Sequence, residues 1–240
     1  MVFLRGLKKK AYEKRLRRHN VPDVFFKSFV HAMALDIKRP IKDTKFVVID
    51  TETTGLRPEK GDVLLSVAGL GVSNGRVDLS RSFYELIKPG RDIPHESVVV
   101  HNLTPDKMRN LLPASEVLER FFEFCKGDIL VGHHSSFDMR FLNHALKQNF
   151  EITMANRFLD TAMIARAMQE IEDPTRVAME GTKHVTLDEL AERFDIGMPD
   201  RHDAYGDALA TALIFQRQAG LLRQQNIFKL KDLLNMGEVR

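Results

Sequence analysis

The most informative segment of the chain reads Phe46-Val47-Val48-Ile49-Asp50-Thr51-Glu52-Thr53-Thr54-Gly55-Leu56. It begins with an apolar run typical of a buried strand, and Thr-Thr-Gly after Glu52 is typical of a turn. Residues i and i+2 of a strand project from the same face, so Asp50 and Glu52 are expected to point together off the end of this strand. Two like charges so close repel by about 1 kcal/mol in water, and by several times more near protein, unless a cation or proton compensates them. The stretch therefore predicts the start of a divalent-metal site.

A third acid, Asp138, lies in Gly132-His133-His134-Ser135-Ser136-Phe137-Asp138. The two serines predict the start of a helix, which places Asp138 in the first helical turn. There the helix dipole stabilises an ionised acid by about 0.3–1 kcal/mol. Considered alone, Asp138 is explained equally well by this charge–dipole effect and by a metal site.

A histidine and a fourth acid follow in His202-Asp203-Ala204-Tyr205-Gly206-Asp207. Five helical residues turn through about 500°, so His202 and Asp207 cannot both face one site from a continuous helix. The pattern predicts that Asp203 caps a helix, that Asp207 occupies its first turns, and that His202 lies in the preceding loop.

The composition bounds the class of protein. A chain of 240 residues can hold one sizeable α/β domain with an extension, or at most two small domains. Its 43% hydrophobic and 29% charged residues are typical of a soluble globular protein. The longest nearly apolar stretch, 63–72, is too short for a bilayer span of about 20 residues, so no membrane association is expected. The single cysteine, Cys125, excludes an intrachain disulfide, and no secretory signal is recognisable, which fits a cytoplasmic location.

Positive charge is concentrated at the N-terminus. The basic residues there, opposed by one acid, Glu13, are Arg5, Lys8, Lys9, Lys10, Lys14, Arg15, Arg17 and Arg18. Such a cluster attracts phosphate backbones and acidic surfaces without sequence preference. A solvated face of an N-terminal helix is an equally good explanation.

The remaining pattern predicts an α/β domain with additions at both ends. We expect a basic helical N-terminal extension at 1–44, with helices at 2–19 and 24–37, a main domain at 45–222, and a short C-terminal tail at 223–240. Strands at 45–51, 63–72 and 76–88 are expected to form an antiparallel meander, because Asn74-Gly75 is a strong hairpin signal. Helices and strands then alternate: helices at 115–126, 136–149, 160–170, 186–194 and 203–221, strands at 128–132 and 157–159, and a loop at 171–185.

The order Asp-x-Glu, Asp, His-x4-Asp resembles the DEDDh branch of the DnaQ-like 3′→5′ exonucleases, a group that includes the proofreading subunit of bacterial replicative DNA polymerase and ribonuclease T. The resemblance covers about 45–220. It implies an α/β, ribonuclease H-like fold, in which the first strand lies centrally in a mixed sheet flanked by helices. His134 departs from the family, which usually has Asn there, and His101-Asn102-Leu103-Thr104 replaces the usual His-Gly-Ile-Thr.

The resemblance also implies a reaction, the hydrolysis of phosphodiester bonds with two divalent cations, Mg²⁺ or Mn²⁺. Asp50 would contact both ions, Glu52 and Asp207 would complete one of them, and Asp138 would hold the other. His202, with a reference pKa of about 6.5, is suited to take a proton from the attacking water.

Substrate contacts are implied in the same way. Glu96 and His101 match family positions that contact the terminal nucleotide, and Thr53, Gly55 and Leu56 are placed to approach the last base. Gly55 is explained alternatively as a turn residue. Asp160 also matches a family position, but we assign it first to helix capping.

Several functions remain open. The leading hypothesis is an exonuclease on single-stranded 3′ ends, with DNA favoured over RNA because Thr53-Thr54-Gly55-Leu56 resembles proofreaders, and with a DNA polymerase as a possible partner. An exoribonuclease would use the same catalytic side chains. A polymerase-associated scaffold that binds nucleic acid without cutting is a further alternative, although all the catalytic positions are filled. Endonuclease action on RNA in hybrids shares the fold, but His-x4-Asp favours exonuclease chemistry.

Overall fold

The computed structural model describes residues 10, 14, 21–90, 111–173, 175, 185–198 and 203–239. The helices in these residues are α1 (Asp23–Met33), α2 (Ala114–Cys125), α3 (Ser136–Phe150), α4 (Thr161–Glu172), α5 (Leu187–Arg193), α6 (Ala204–Gln224) and α7 (Leu230–Gly237). The strands are β1 (Phe46–Thr53), β2 (Leu64–Ser73), β3 (Arg76–Leu86), β4 (Ile129–Gly132), β5 (Phe158–Asp160) and β6 (Glu238–Val239). Short 3₁₀ helices lie at Ile41–Asp43 and Pro58–Lys60.

The strands form one mixed sheet in the order β3-β2-β1-β4-β5-β6. Strands β1, β2 and β3 pair antiparallel, β1–β4 and β4–β5 pair parallel, and β6 returns antiparallel to β5. Asn74 and Gly75 have φ values of 53° and 71°, which is the backbone of a type I′ hairpin turn. The predicted meander and the mixed ribonuclease H-like sheet, with the first strand in the middle, are confirmed.

Alternation along β1 sends its side chains into two different cores. Val47 and Ile49 pack with residues of α1, α2 and α3 on one face of the sheet. Phe46 and Val48 pack with α6 and α7 on the other face. Because the period of a strand is two residues, the carboxylates that follow in β1 continue the face covered by α6.

The segments on either side of the predicted main domain pack against the same body. Phe25 of α1 is fully buried, with its ring centroid 4.8 Å from that of Phe122 and 4.6 Å from that of Phe150. At the other end, α7 contributes buried leucines to the core, and β6 extends the sheet. The N–H of Ile41 donates to the carbonyl of Phe228 at 2.8 Å, which joins the two segments to each other. The boundaries of the three predicted regions stay a prediction.

Of the two helices predicted in the N-terminal region, the second is present but shorter than expected. The helix expected at 24–37 ends earlier, at Met33, and the Asp36 carboxylate accepts from the N–H of Lys38 at 2.9 Å in a turn beyond it. The helix expected at 2–19 lies outside the described residues except for Lys10 and Lys14, which are helical and exposed. The loop expected at 171–185 also lies largely outside them. Among the described residues, none of the helices combines the length and the apolar composition that a transmembrane helix needs.

Candidate active site

Three acids converge at the end of β1. Asp50 and Glu52 of β1 and Asp207 of α6 each offer a carboxylate oxygen, and these atoms all lie within 4.8 Å of one another. Asp207 is buried, while the two strand acids are partly exposed. The sheet and one helix therefore bring together three of the acids that the sequence assigns to a metal site.

Asp207 reaches this point because of how α6 begins. Asp203 is the N-cap, and its carboxylate accepts from the N–H of Gly206 at 3.1 Å. The N–H of Asp207 bonds to the carbonyl of Asp203 at 2.9 Å, so Asp207 lies in the first turn, as predicted. Ala204 and Ala208 are fully buried in the core shared with the sheet, and their small side chains let the helix approach β1 closely.

The donor set suits a hard divalent cation. Carboxylate oxygens are the ligands that Mg²⁺ and Mn²⁺ prefer, and the cluster holds neither thiolate nor imidazole among the described residues. Two unit charges at this separation repel by about 3 kcal/mol at an effective dielectric constant of about 20. A bound cation would remove this cost, and burial of Asp207 increases the need for one.

Asp138 is not a member of the three-acid group. It is buried at the start of α3, and its Oδ1 accepts from the Thr51 hydroxyl at 2.7 Å. Burial raises its pKa from 3.8 to about 7, although the hydrogen bond from Thr51 lowers it, and the nearby Asp160 carboxylate contributes a smaller increase. Because it contacts Thr51, Asp138 approaches the end of β1 from the face opposite Asp50. Because its pKa is raised, it binds a proton more readily than an ordinary carboxyl group.

Thr51 and Asp160 hold Asp138 and its helix in place, and neither was predicted to take part in the metal site. Thr51 alternates with Asp50 and Glu52 along β1, so the strand period could have indicated that it faces α3. Asp160 caps α4 through Ala162 N–H at 2.8 Å, as expected, but its other oxygen also accepts from Ser135 N–H at 3.0 Å. Asp160 thus joins the starts of two helices, and this second contact has no local sequence signal.

The loop after β1 presents an apolar side chain at the surface. The Thr53 hydroxyl donates to the carbonyl of Gly55 at 2.6 Å, and Arg140 donates to the carbonyl of Leu56 at 3.0 Å. A Cβ on Gly55 would lie 2.5 Å from Oδ2 of Asp62, which accepts from the N–H of Arg57 at 2.9 Å, so a larger residue there would have to displace this carboxylate. Leu56 is 70% exposed.

Three predicted site residues, His202, Glu96 and His101, lie outside the described residues, so their roles stay predictions. His134, which stands where the family usually has Asn, has a φ of 53° in the left-handed region. Asn, Asp and His are the residues most enriched there after glycine, so both the family's usual Asn and this histidine suit the backbone conformation.

Comparison with known proteins agrees with this fold. The family model described as Exonuclease (RNase_T) matches residues 47–215, which is most of the chain. The chain therefore belongs to this exonuclease family, and the recognition of a DnaQ-like 3′→5′ exonuclease is confirmed.

Individual relatives extend this picture. A DNA polymerase III subunit epsilon-like protein of Rhodobacter capsulatus is 34% identical over 193 residues, which cover 78% of this chain and 25% of the relative. The 3′-5′ exonuclease DinG of Bacillus subtilis is 30% identical, over 81% of this chain and 20% of the relative. The chain thus spans about a quarter or less of the length of these relatives. The structure of E. coli Exonuclease I with a dT13 oligonucleotide shares the fold, with a TM-score of 0.60 and 17% identity over 77% of this chain and 43% of that one.

Proposed function

We propose that this protein is a metal-dependent 3′→5′ exonuclease that acts on single-stranded DNA 3′ ends in the cytoplasm and releases 5′-mononucleotides. The observation that carries the proposal is the convergence of Asp50, Glu52 and Asp207 from a strand and a helix onto one point. The names of the relatives support 3′→5′ polarity and a role in replication or repair beside a polymerase. The oligonucleotide bound to Exonuclease I supports a single-stranded DNA substrate.

The acids would hold two Mg²⁺ or Mn²⁺ ions. When bound, such ions neutralise charge on the reacting phosphate and hold the attacking and leaving oxygens in line. Asp50 would contact both ions, Glu52 and Asp207 would complete one of them, and Asp138 would hold the other from the opposite face of the sheet. Because the pKa of Asp138 is about 7, ligation through this group releases a proton, and metal affinity is expected to rise with pH.

The remaining predicted roles belong to proton transfer and substrate holding. His202 directly precedes the cap of α6 in the chain and would accept the proton of the attacking water. Thr53, Gly55 and Leu56 would contact the last base, for which the exposed Leu56 side chain offers an apolar surface. Glu96 and His101 would contact the same nucleotide.

The experiment is the product ladder from 5′-labelled DNA and RNA oligonucleotides of matched sequence, with Mg²⁺ and with EDTA. The wild type is expected to shorten DNA stepwise from the 3′ end only with metal, and Asp50→Ala to be inactive. Glu59→Ala is the matched control, because it removes an exposed acid from the 3₁₀ helix at Pro58–Lys60, and it should keep full activity. Faster cleavage of RNA would make the exoribonuclease the better assignment. Binding without cleavage by the wild type and by Asp50→Ala would favour the non-cutting scaffold.

A further inference from the structure

An aromatic side chain links the sheet to the helix that carries Asp207. Tyr84 lies on the edge strand β3, and its hydroxyl donates to Oδ1 of Asp203, the N-cap of α6, at 3.3 Å. Its ring also contacts that of Tyr205 edge to face, with centroids 6.3 Å apart. Tyr84 thus contacts both the cap and the first turn of α6.

The strand register places Tyr84 level with Asp50. Asp50 pairs with Ala68 of β2, and Ala68 pairs with Tyr84 of β3, so the three side chains share one face of the sheet in a single row. Ala68 is small and buried, and two strand spacings of about 4.8 Å separate the ends of the row. The Tyr84 side chain therefore rises beside the acidic cluster, on the face that α6 covers.

The chemical state of the phenol fits a permanent donor. Burial raises the pKa of Tyr84 to about 12, and the Asp203 and Glu52 carboxylates contribute to the increase. The hydroxyl consequently keeps its proton over the whole range in which the protein would work. Asp203 can accept from Tyr84 through one oxygen while the other caps the helix through Gly206.

We propose that Tyr84 is a positioning residue, which fixes the N-terminus of α6 against the sheet and so sets the distance between Asp207 on the helix and Asp50 and Glu52 on the strand. The inference deepens the proposed function and rests on it. Three ligands from two elements form one site only if those elements keep a fixed separation. The helix cap is the point at which a hydrogen bond from the sheet controls that separation most directly, because Asp207 lies one turn beyond it.

The test compares Tyr84→Phe with the wild type. Phe keeps the ring contact with Tyr205 and removes only the bond to Asp203. The bond is longer than the usual 2.7–2.8 Å, so we expect kcat to fall about fivefold and the Mg²⁺ concentration for half-maximal activity to rise by a similar factor. The KM for the oligonucleotide and the Tm of the metal-free protein should stay unchanged. Tyr205→Phe is the matched control, because no hydrogen bond of its hydroxyl is found among the described residues.

Tyr84→Ala separates positioning from base stacking. If Tyr84→Phe matches the wild type while Tyr84→Ala raises KM, the ring is a stacking surface and the proposal is overturned. Equal kinetics for all variants also overturn it, as does a lower metal-free Tm in Tyr84→Phe with an unchanged metal requirement.

A Mn²⁺ titration followed by thermal shift distinguishes this inference from the proposed function. If the wild type cuts no oligonucleotide but Tyr84→Phe still needs more Mn²⁺ for the same rise in Tm, the positioning role stands and the exonuclease assignment fails. If the wild type is active and the two titrations coincide, only the positioning role fails.

Discussion

Replacing Asp138 with Asn is expected to stabilise the metal-free protein while abolishing its activity. The Asp138 carboxyl is buried, and its pKa rises from 3.8 to about 7 on folding. At roughly 1.4 kcal/mol per pKa unit, keeping this group ionised at pH 8 costs the folded state about 4 kcal/mol. Asn removes the charge but keeps the shape and an oxygen that can accept from Thr51.

The sign of the effect follows from the raised pKa. Protonation favours the folded state, so the contribution of Asp138 to stability is fully present below pH 3.8 and is lost as the pH rises to about 7. The advantage of Asp138→Asn should therefore be largest at pH 8, about 4 kcal/mol, and fall to about 2 kcal/mol or less at pH 5. At about 2–4 °C per kcal/mol for a domain of this size, the increase in Tm at pH 8 is on the order of 10 °C.

The assay is thermal unfolding in EDTA at pH 5 and pH 8, with Glu123→Gln as a control that removes an exposed acid from α2. The control should show little change at either pH. Adding Mg²⁺ should reduce the difference in Tm at pH 8, because the ion stabilises the wild type through the Asp138 carboxylate, which the variant lacks. If Asp138→Asn is no more stable than the wild type at pH 8, or if its advantage does not depend on pH, burial does not raise the pKa of Asp138.

Three further predictions address other parts of the molecule. Activity should decline below about pH 6 as His202 is protonated, and a flat acidic limb in the pH–rate profile would exclude it as the base. Arg81→Met should lower the free energy of unfolding in urea by about 3 kcal/mol. Asp128, which is 7% exposed and lies 2.6 Å from Arg81, would lose its cation, and a loss below about 1 kcal/mol would contradict this. Gly127→Ala should destabilise by about 2 kcal/mol or more, since its Cβ would lie 2.4 Å from the backbone nitrogen of Ala32, and an unchanged Tm would show that α1 does not pack there.

The centre of the fold follows from local patterns in the sequence. The apolar run before Asp50 predicts a buried strand, and the two-residue period places Glu52 on the same face. The turn residues Asn74-Gly75 predict the hairpin, and Asp203 predicts the start of α6 with Asp207 in its first turn. In each case the signal lies within a few residues, where strand alternation, left-handed turns and helix capping act.

Other features depend on contacts between distant parts of the chain. Nothing near Phe25 indicates that it fills the core between Phe122 and Phe150, because that burial is decided by tertiary packing. The hydrogen bond from Thr51 to Asp138 likewise joins residues 87 positions apart. The sequence could not predict that Asp138 lies outside the three-acid group. That placement follows from tertiary packing, which puts its helix on the opposite face of the sheet from α6.

If Asp50, Glu52 and Asp207 form a divalent-cation site, the protein binds Mn²⁺ in solution, and calorimetric titration measures that binding. We expect saturable binding to the wild type at neutral pH and its loss in Asp207→Asn, which removes the ligand supplied by the helix. Absence of Mn²⁺ binding to the wild type, or equally strong binding to Asp207→Asn, would show that these three acids do not form a cation site.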